Sequence, residues 1–329
     1  MKADVSRYKA ALAQIAEIAG QASAGGGNGS GNGSGNGSGN GSGTGAGMTG
    51  TTFRSCSVRE LPARLHVKAA LLARRVNPVN GPLREPLPGR STLPQVQRLT
   101  LDTARYWGPA ARTLSVSFME TTDADLRARI VSHMNAWSSD HGVGIDFAET
   151  SGTGEVRISR EPGGYYSYLG TDVLLIPPTV QTMNLEAFSM GTPDSEYRRV
   201  VRHETGHTLG FPHEHMRREL VARIDPQKAY RYFLETQGWD AQTVDEQVLT
   251  PLGEADIFGT PPDQDSIMCY QLPGEITYDG QPIRGGVDIN ATDAAFAASI
   301  YPTLPYTDQQ LTTSKVEAWP ASEDVALSV

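Results

Sequence analysis

Only two cysteines, Cys56 and Cys269, occur in 329 residues. They allow one bridge at most, so the chain has no disulfide framework of the kind that staples small secreted domains. No stretch approaches 18 consecutive apolar residues, which excludes a helical membrane span. The N-terminal "MKADVSRYKAALAQIAEIAGQASAG" lacks the unbroken apolar run of a secretory signal, because Gln14, Glu17 and Gln21 interrupt it. Location is therefore open between the cytoplasm and export by a non-standard route. Charged residues are sparse at 20 %, and the formal net charge of −9 is unevenly spread. Residues 51–105 carry ten Lys/Arg against three Asp/Glu, whereas residues 106–329 carry fifteen against thirty-two. An acidic main domain argues against nucleic acid as its partner. The basic segment reads instead as lying against its acidic neighbour.

Glycine, by contrast, is concentrated. Residues 25–47, "GGGNGSGNGSGNGSGNGSGTGAG", have no apolar surface to offset ordering entropy and read as a flexible linker. The Asn-Gly-Ser triplets match a glycosylation sequon but follow from the repeat itself. Five parts result: a short helix in 1–24, the linker at 25–47, a basic pro-like segment at 48–94, a compact domain at 95–305 and a tail at 306–329. Within residues 53–76 the run "RELPARLHVKAALLARRV" suggests an amphipathic helix, and "NPVNGPLREPLPG" a Pro/Gly-rich connection.

In the compact domain, "TLSVSF" (113–118), "GIDFAE" (144–149) and "EVRISR" (155–160) read as strands. So do "YYSYLGTDVLLIP" and "QTMNLEAF". Between the first two strands, residues 123–140 place Leu126, Ile130, Met134 and Trp137 on one helical stripe, with Asp123 or Thr122 as cap. Residues 194–209 form a further helix, begun by Asp194 or Ser195 and ended by Gly210. Helices follow at 225–237 and 291–300, amid irregular chain. The pattern is α+β.

Four of the seven histidines fall within thirteen residues, in "RHETGHTLGFPHEHMR". His203 and His207 stand four apart on a helix, so both rings leave one face about one turn apart. Gly210 permits the backbone to turn back and bring His213 as a third nitrogen ligand. Three neutral nitrogens with an open position describe a catalytic zinc site for one Zn2+. Glu204, beside the first ligand, can accept the proton of a metal-activated water as general base.

HExxHxxGxxH is the zinc signature of the metzincins, and "HETGHTLGFPHEHMR" resembles the astacin form HExxHxxGFxHExxR at every specified position. "DQDSIMCY" (263–270) is similar to the astacin Met-turn. The resemblance, over about residues 95–305, implies a zinc metalloendopeptidase (EC 3.4.24-type) of α+β zincin fold. An N-terminal subdomain would carry a twisted mixed sheet and two long helices, and a smaller irregular C-terminal subdomain the Met-turn. It further implies that Met268 floors the metal without binding it. Tyr270 would be a switchable metal ligand that swings away to stabilise the oxyanion, and Glu214 would hold the mature N-terminus. The substrate, a protein or peptide, would pair antiparallel with an edge strand near "GYYSYLG" (164–170). The chain departs from secreted astacins in its cysteine number and in Cys269, where animal members usually have histidine.

Other readings stand beside these. A zinc-containing module that only binds peptides, or is held latent, would keep the same ligands but would have no need of Glu204. Cys56 is open between a plain free thiol and a latency ligand, its sulfur filling the open zinc position; "FRSCSVREL" does not match the matrixin switch. Cys269, Trp107 and Trp137 read as core, Arg217 and Glu214 as ion-pair or positioning residues rather than catalysts, and His215 and His141 as exposed polar residues.

Overall fold

The computed structural model describes residues 56–77, 80, 100–102, 105–253, 257–259 and 262–303. The expected N-terminal helix, the glycine linker, most of the Pro/Gly connection and the C-terminal tail lie outside them. The chain opens with strand β1 (Cys56–Arg59), one 3-10 turn (Ala63–Leu65) and helix α1 (His66–Val76). Then come β2 (Thr100–Asp102), β3 (Arg112–Phe118), α2 (Ala124–Met134), β4 (Ile145–Glu149), β5 (Val156–Ser159), β6 (Tyr165–Tyr168) and β7 (Met183–Leu185). The second half holds α3 (Arg202–Thr208), α4 (Pro226–Gln237), β8 (Ile257–Gly259) and α5 (Ala291–Ile300). None of the described helices is long and apolar enough to cross a membrane.

Six strands form one mixed sheet in the order β1-β6-β7-β5-β3-β4, in which only β6 and β7 pair antiparallel. The alternation that marks β3 in the sequence buries Leu114 and Val116 on one face. The α2 stripe packs on that face: Leu126, Ile130 and Met134 are all buried, and Trp137 follows in a short helical turn. Asp123 stands at the N-cap of α2 but makes no capping bond. This core continues through α5 and includes Trp107 and Met268. A second, smaller apolar cluster gathers Leu220, Phe233, Val248, Cys269 and Tyr270 from the irregular C-terminal half. The α+β fold with two subdomains is thus as expected.

Two elements differ from the sequence reading. Residues 170–175 form a 3-10 segment rather than a strand. Residues 56–59, expected within or beside a helix, are a strand, because they find a partner more than a hundred residues on. Cys56, Ser57, Val58 and Arg59 pair in parallel with Tyr165, Tyr166, Ser167 and Tyr168. Sheet pairing of this kind overrides weak local propensity.

A candidate metal centre closed by the chain's own strand

The active-site helix begins at Asp194, runs through a π-helical turn (Tyr197–Val201) and continues as α3. Two buried tryptophans fix it: Trp137 Nε1 donates to Arg202 O (2.9 Å) and Trp107 Nε1 to Thr208 O (2.8 Å). Its end is a Schellman turn. Gly210 N–H bonds His207 O, Phe211 N–H bonds Gly206 O, and Gly210 has φ +98°. A side chain there would be strained, so the glycine is what reverses the chain toward His213.

His203, His207 and His213 are buried, each with its neighbours within about one ring's width. His203 Nδ1 donates to Ile267 O (2.6 Å) and His207 Nδ1 to Phe211 O (2.7 Å), which leaves both Nε2 atoms facing the centre. Cys56 Sγ, carried by β1, lies 3.5 Å from His207 Nε2. One ligand atom from each of Cys56, His203, His207 and His213 falls within 4.8 Å of every other.

The fit to a metal can be judged from these separations. A tetrahedral zinc with its usual bond lengths has N–N edges of ~3.4 Å and N–S edges of ~3.6 Å. His207 Nε2 and His213 Nε2 are 3.2 Å apart, and the nitrogen–sulfur distance is 3.5 Å. Buried His203 Nε2 has no hydrogen-bond partner, and the buried Glu204 carboxylate takes a hydrogen bond from the Cys56 thiol; an orphaned buried nitrogen of this kind calls for an ion or water. The donor set fits one zinc ion with Cys56 as fourth ligand.

Burial dominates the electrostatics. It lowers the His203 pKa to about 4 and those of His207 and His213 well below the usual value, so all three are neutral donors at pH 7. It raises Glu204 to about 8 and pushes the Cys56 thiol well up, with the Glu204 charge adding to the latter. A bound cation reverses this second trend by favouring the ionised forms.

Beneath the histidines, Met268 lies so close to Gly206 that a Cβ there would be 2.3 Å from Met268 Sδ. The turn is tied to the ligand loop by Glu214 N–H donating to Met268 O (2.9 Å). Glu214 is buried 3.7 Å from Arg217, an ion pair. The Tyr270 hydroxyl donates to Cys56 O (2.9 Å), so in this state it faces the inserted strand. Trp107, Trp137 and Cys269 are buried. His141 is half-buried.

Three findings differ from the sequence reading or were absent from it. His215 is fully buried rather than exposed, with Nε2 bonded to Gln247 O (3.0 Å) and a pKa lowered by burial to about 3. The β6 edge is filled by β1, running parallel, rather than open. Asp293 accepts from Ser266 Oγ (2.7 Å) and from the Ile267 N–H (2.9 Å), and so braces the Met-turn. The Asn-x-x-Asp spacing at 290–293 signals a capping box, which is present; nothing local signals the longer reach to the turn.

A mixed sheet over a helix bearing two of three clustered histidines, with a methionine floor, defines a class: the zinc metallopeptidases. Comparison with known proteins narrows it. The profile of the Astacin peptidase family matches residues 100–275, and the chain belongs to that family. A structure of myroilysin is 30 % identical over 62 % of this chain and 98 % of its own, with a TM-score of 0.58. A crystal structure of myroilysin is 27 % identical over 75 % and 98 %, with a TM-score of 0.47. The hatching enzyme HCE-1, a zinc-protease from Oryzias latipes, is 19 % identical over 60 % and 95 %, with a TM-score of 0.41. No curated protein sequence matches significantly.

Proposed function

We propose that the chain is a zinc endopeptidase held latent by its own residues 48–94. The observation that carries this is Cys56 sitting among the three histidines while its strand fills the cleft beside Glu204. Zinc held by His203, His207 and His213 supplies Lewis acidity to a water and to the scissile carbonyl. Glu204 takes the proton from that water and returns it to the leaving amine. Tyr270, freed from Cys56 O when β1 leaves, turns its hydroxyl to the developing oxyanion. Substrate lies extended on β6 in the place of β1 but antiparallel. A parallel-running β1 thus meets the centre in the reverse sense and is not presented for cleavage.

The test is casein cleavage with zinc content measured on the same sample, before and after limited proteolysis near residues 90–100, alongside Glu204→Ala. Cleavage should rise on processing, and Glu204→Ala should keep zinc and lose cleavage. An intact chain already fully active would sink the latency. The blocked cleft also gives the binding-module reading its one support; zinc-loaded, processed protein that binds casein without cutting it would favour that reading.

A further inference from the structure

The inserted strand shows how the cleft grips a backbone on both sides. One edge of β1 pairs with β6. The opposite edge offers the peptide groups of Cys56 and Val58, and both are met. Cys56 O accepts from Tyr270. Val58 N–H donates to Gln247 Oε1 (3.0 Å), and Gln247 Nε2 donates back to Val58 O (3.3 Å). The Gln247 amide therefore behaves as one residue of a neighbouring strand, giving an acceptor and a donor to one residue of its guest. Its base is fixed, since Gln247 O is bonded by buried His215, two residues beyond ligand His213. Buried Val244 and Val248 anchor the same turn.

We propose that Gln247 is a substrate-binding residue, the lower jaw of the active cleft, which clamps the backbone of one substrate residue upstream of the scissile bond. This rests on the peptidase reading above. Reversing the strand direction exchanges the order of N–H and C=O along the edge. A primary amide matches either order by turning over about its last torsion, which a carboxylate or an ammonium cannot do. Val58 lies two residues from Cys56 toward the Tyr168 end of β6. An antiparallel substrate places there a residue two to three positions before the bond cut. The grip ignores side chains and requires an N–H, so it excludes proline at that position.

The experiment uses the full-length, zinc-loaded chain, activated by limited trypsin treatment, and the variants Gln247→Met and Gln247→Glu treated alike. Each is assayed on one cleavable peptide and on versions N-methylated singly at the three residues before the bond. Both variants should lose about 10-fold in kcat/KM with Tm nearly unchanged, as two modest hydrogen bonds imply. One N-methyl position should cost the wild type about as much and cost Gln247→Met almost nothing, while positions facing β6 cost both equally. Identical N-methyl patterns in wild type and variants, even at reduced activity, would overturn the clamp alone. A processed wild type that cuts no peptide would overturn the peptidase reading and the clamp with it.

Discussion

Cys56 is the residue at which the chemistry of the centre can be read most directly. Without metal its thiol is held protonated by burial, and Glu204, raised to about 8, is also protonated at pH 7. The three histidines are already neutral there. Zinc entering this site must therefore displace the thiol proton and favours loss of the carboxyl proton too. Zinc titrated into the metal-free chain at pH 7 should release protons, and Cys56→Ser should release fewer, by less than one because a water of pKa about 7 would take the open position. At pH 9 the wild-type release should shrink, because Glu204 is ionised before the metal arrives. Calorimetry in buffers of different ionisation enthalpy measures this. Equal release by the two proteins would mean that the sulfur is not a ligand.

Elements, not single residues, hold the site open to a metal. Helix α5 reaches the first histidine through one residue: Asp293 accepts from the Ile267 N–H, and Ile267 O accepts from His203 Nδ1. Asp293 also takes Ser266 Oγ and the Asn290 N–H, so one buried carboxylate joins cap and turn. Asp293→Asn turns one acceptor into a donor facing the Ile267 or Ser266 group. It should cost about 2–4 kcal/mol in denaturant unfolding and weaken zinc affinity; an unchanged unfolding curve would show the brace to be dispensable. That bond was not legible in the sequence, for a general reason. The three histidines, Glu204 and Gly210 sit in one contiguous motif and Met268 in a second short one, and β3, α2 and α3 carry their own local signals, so short-range pattern reveals them. The Val58–Gln247 bonds, the burial of His215 and the strand character of 56–59 depend on partners far along the chain. No local period encodes them, and Cys56 stayed open between plain thiol and ligand for the same cause.

Taken whole, the described residues form two apolar clusters meeting at the metal centre, with Val201, Leu209 and Met268 in the larger and Cys56 and Tyr270 in the smaller. Four buried imidazoles lie at that junction, and their pKa values all sit below the unfolded value of about 6.5. Below that value the unfolded chain binds protons that the folded chain refuses, so stability rises with pH and is lost on acidification. Each such proton is worth about 1.4 kcal/mol per pH unit, giving a ceiling of roughly 5 kcal/mol per unit for four. Glu204, raised by burial to about 8, opposes this between about pH 4.5 and 8, and Asp293, raised to about 6, opposes it between about pH 4 and 6, but they are two groups against four. Metal-free protein should therefore lose stability from about pH 6.5 downward. Zinc competes with protons for three of the four rings and should push that loss to lower pH. Urea unfolding between pH 8 and 5, with chelator and with zinc, measures both curves. A flat metal-free curve would mean that the imidazoles are hydrated, and hence that β1 leaves the cleft unless the metal holds Cys56 in place.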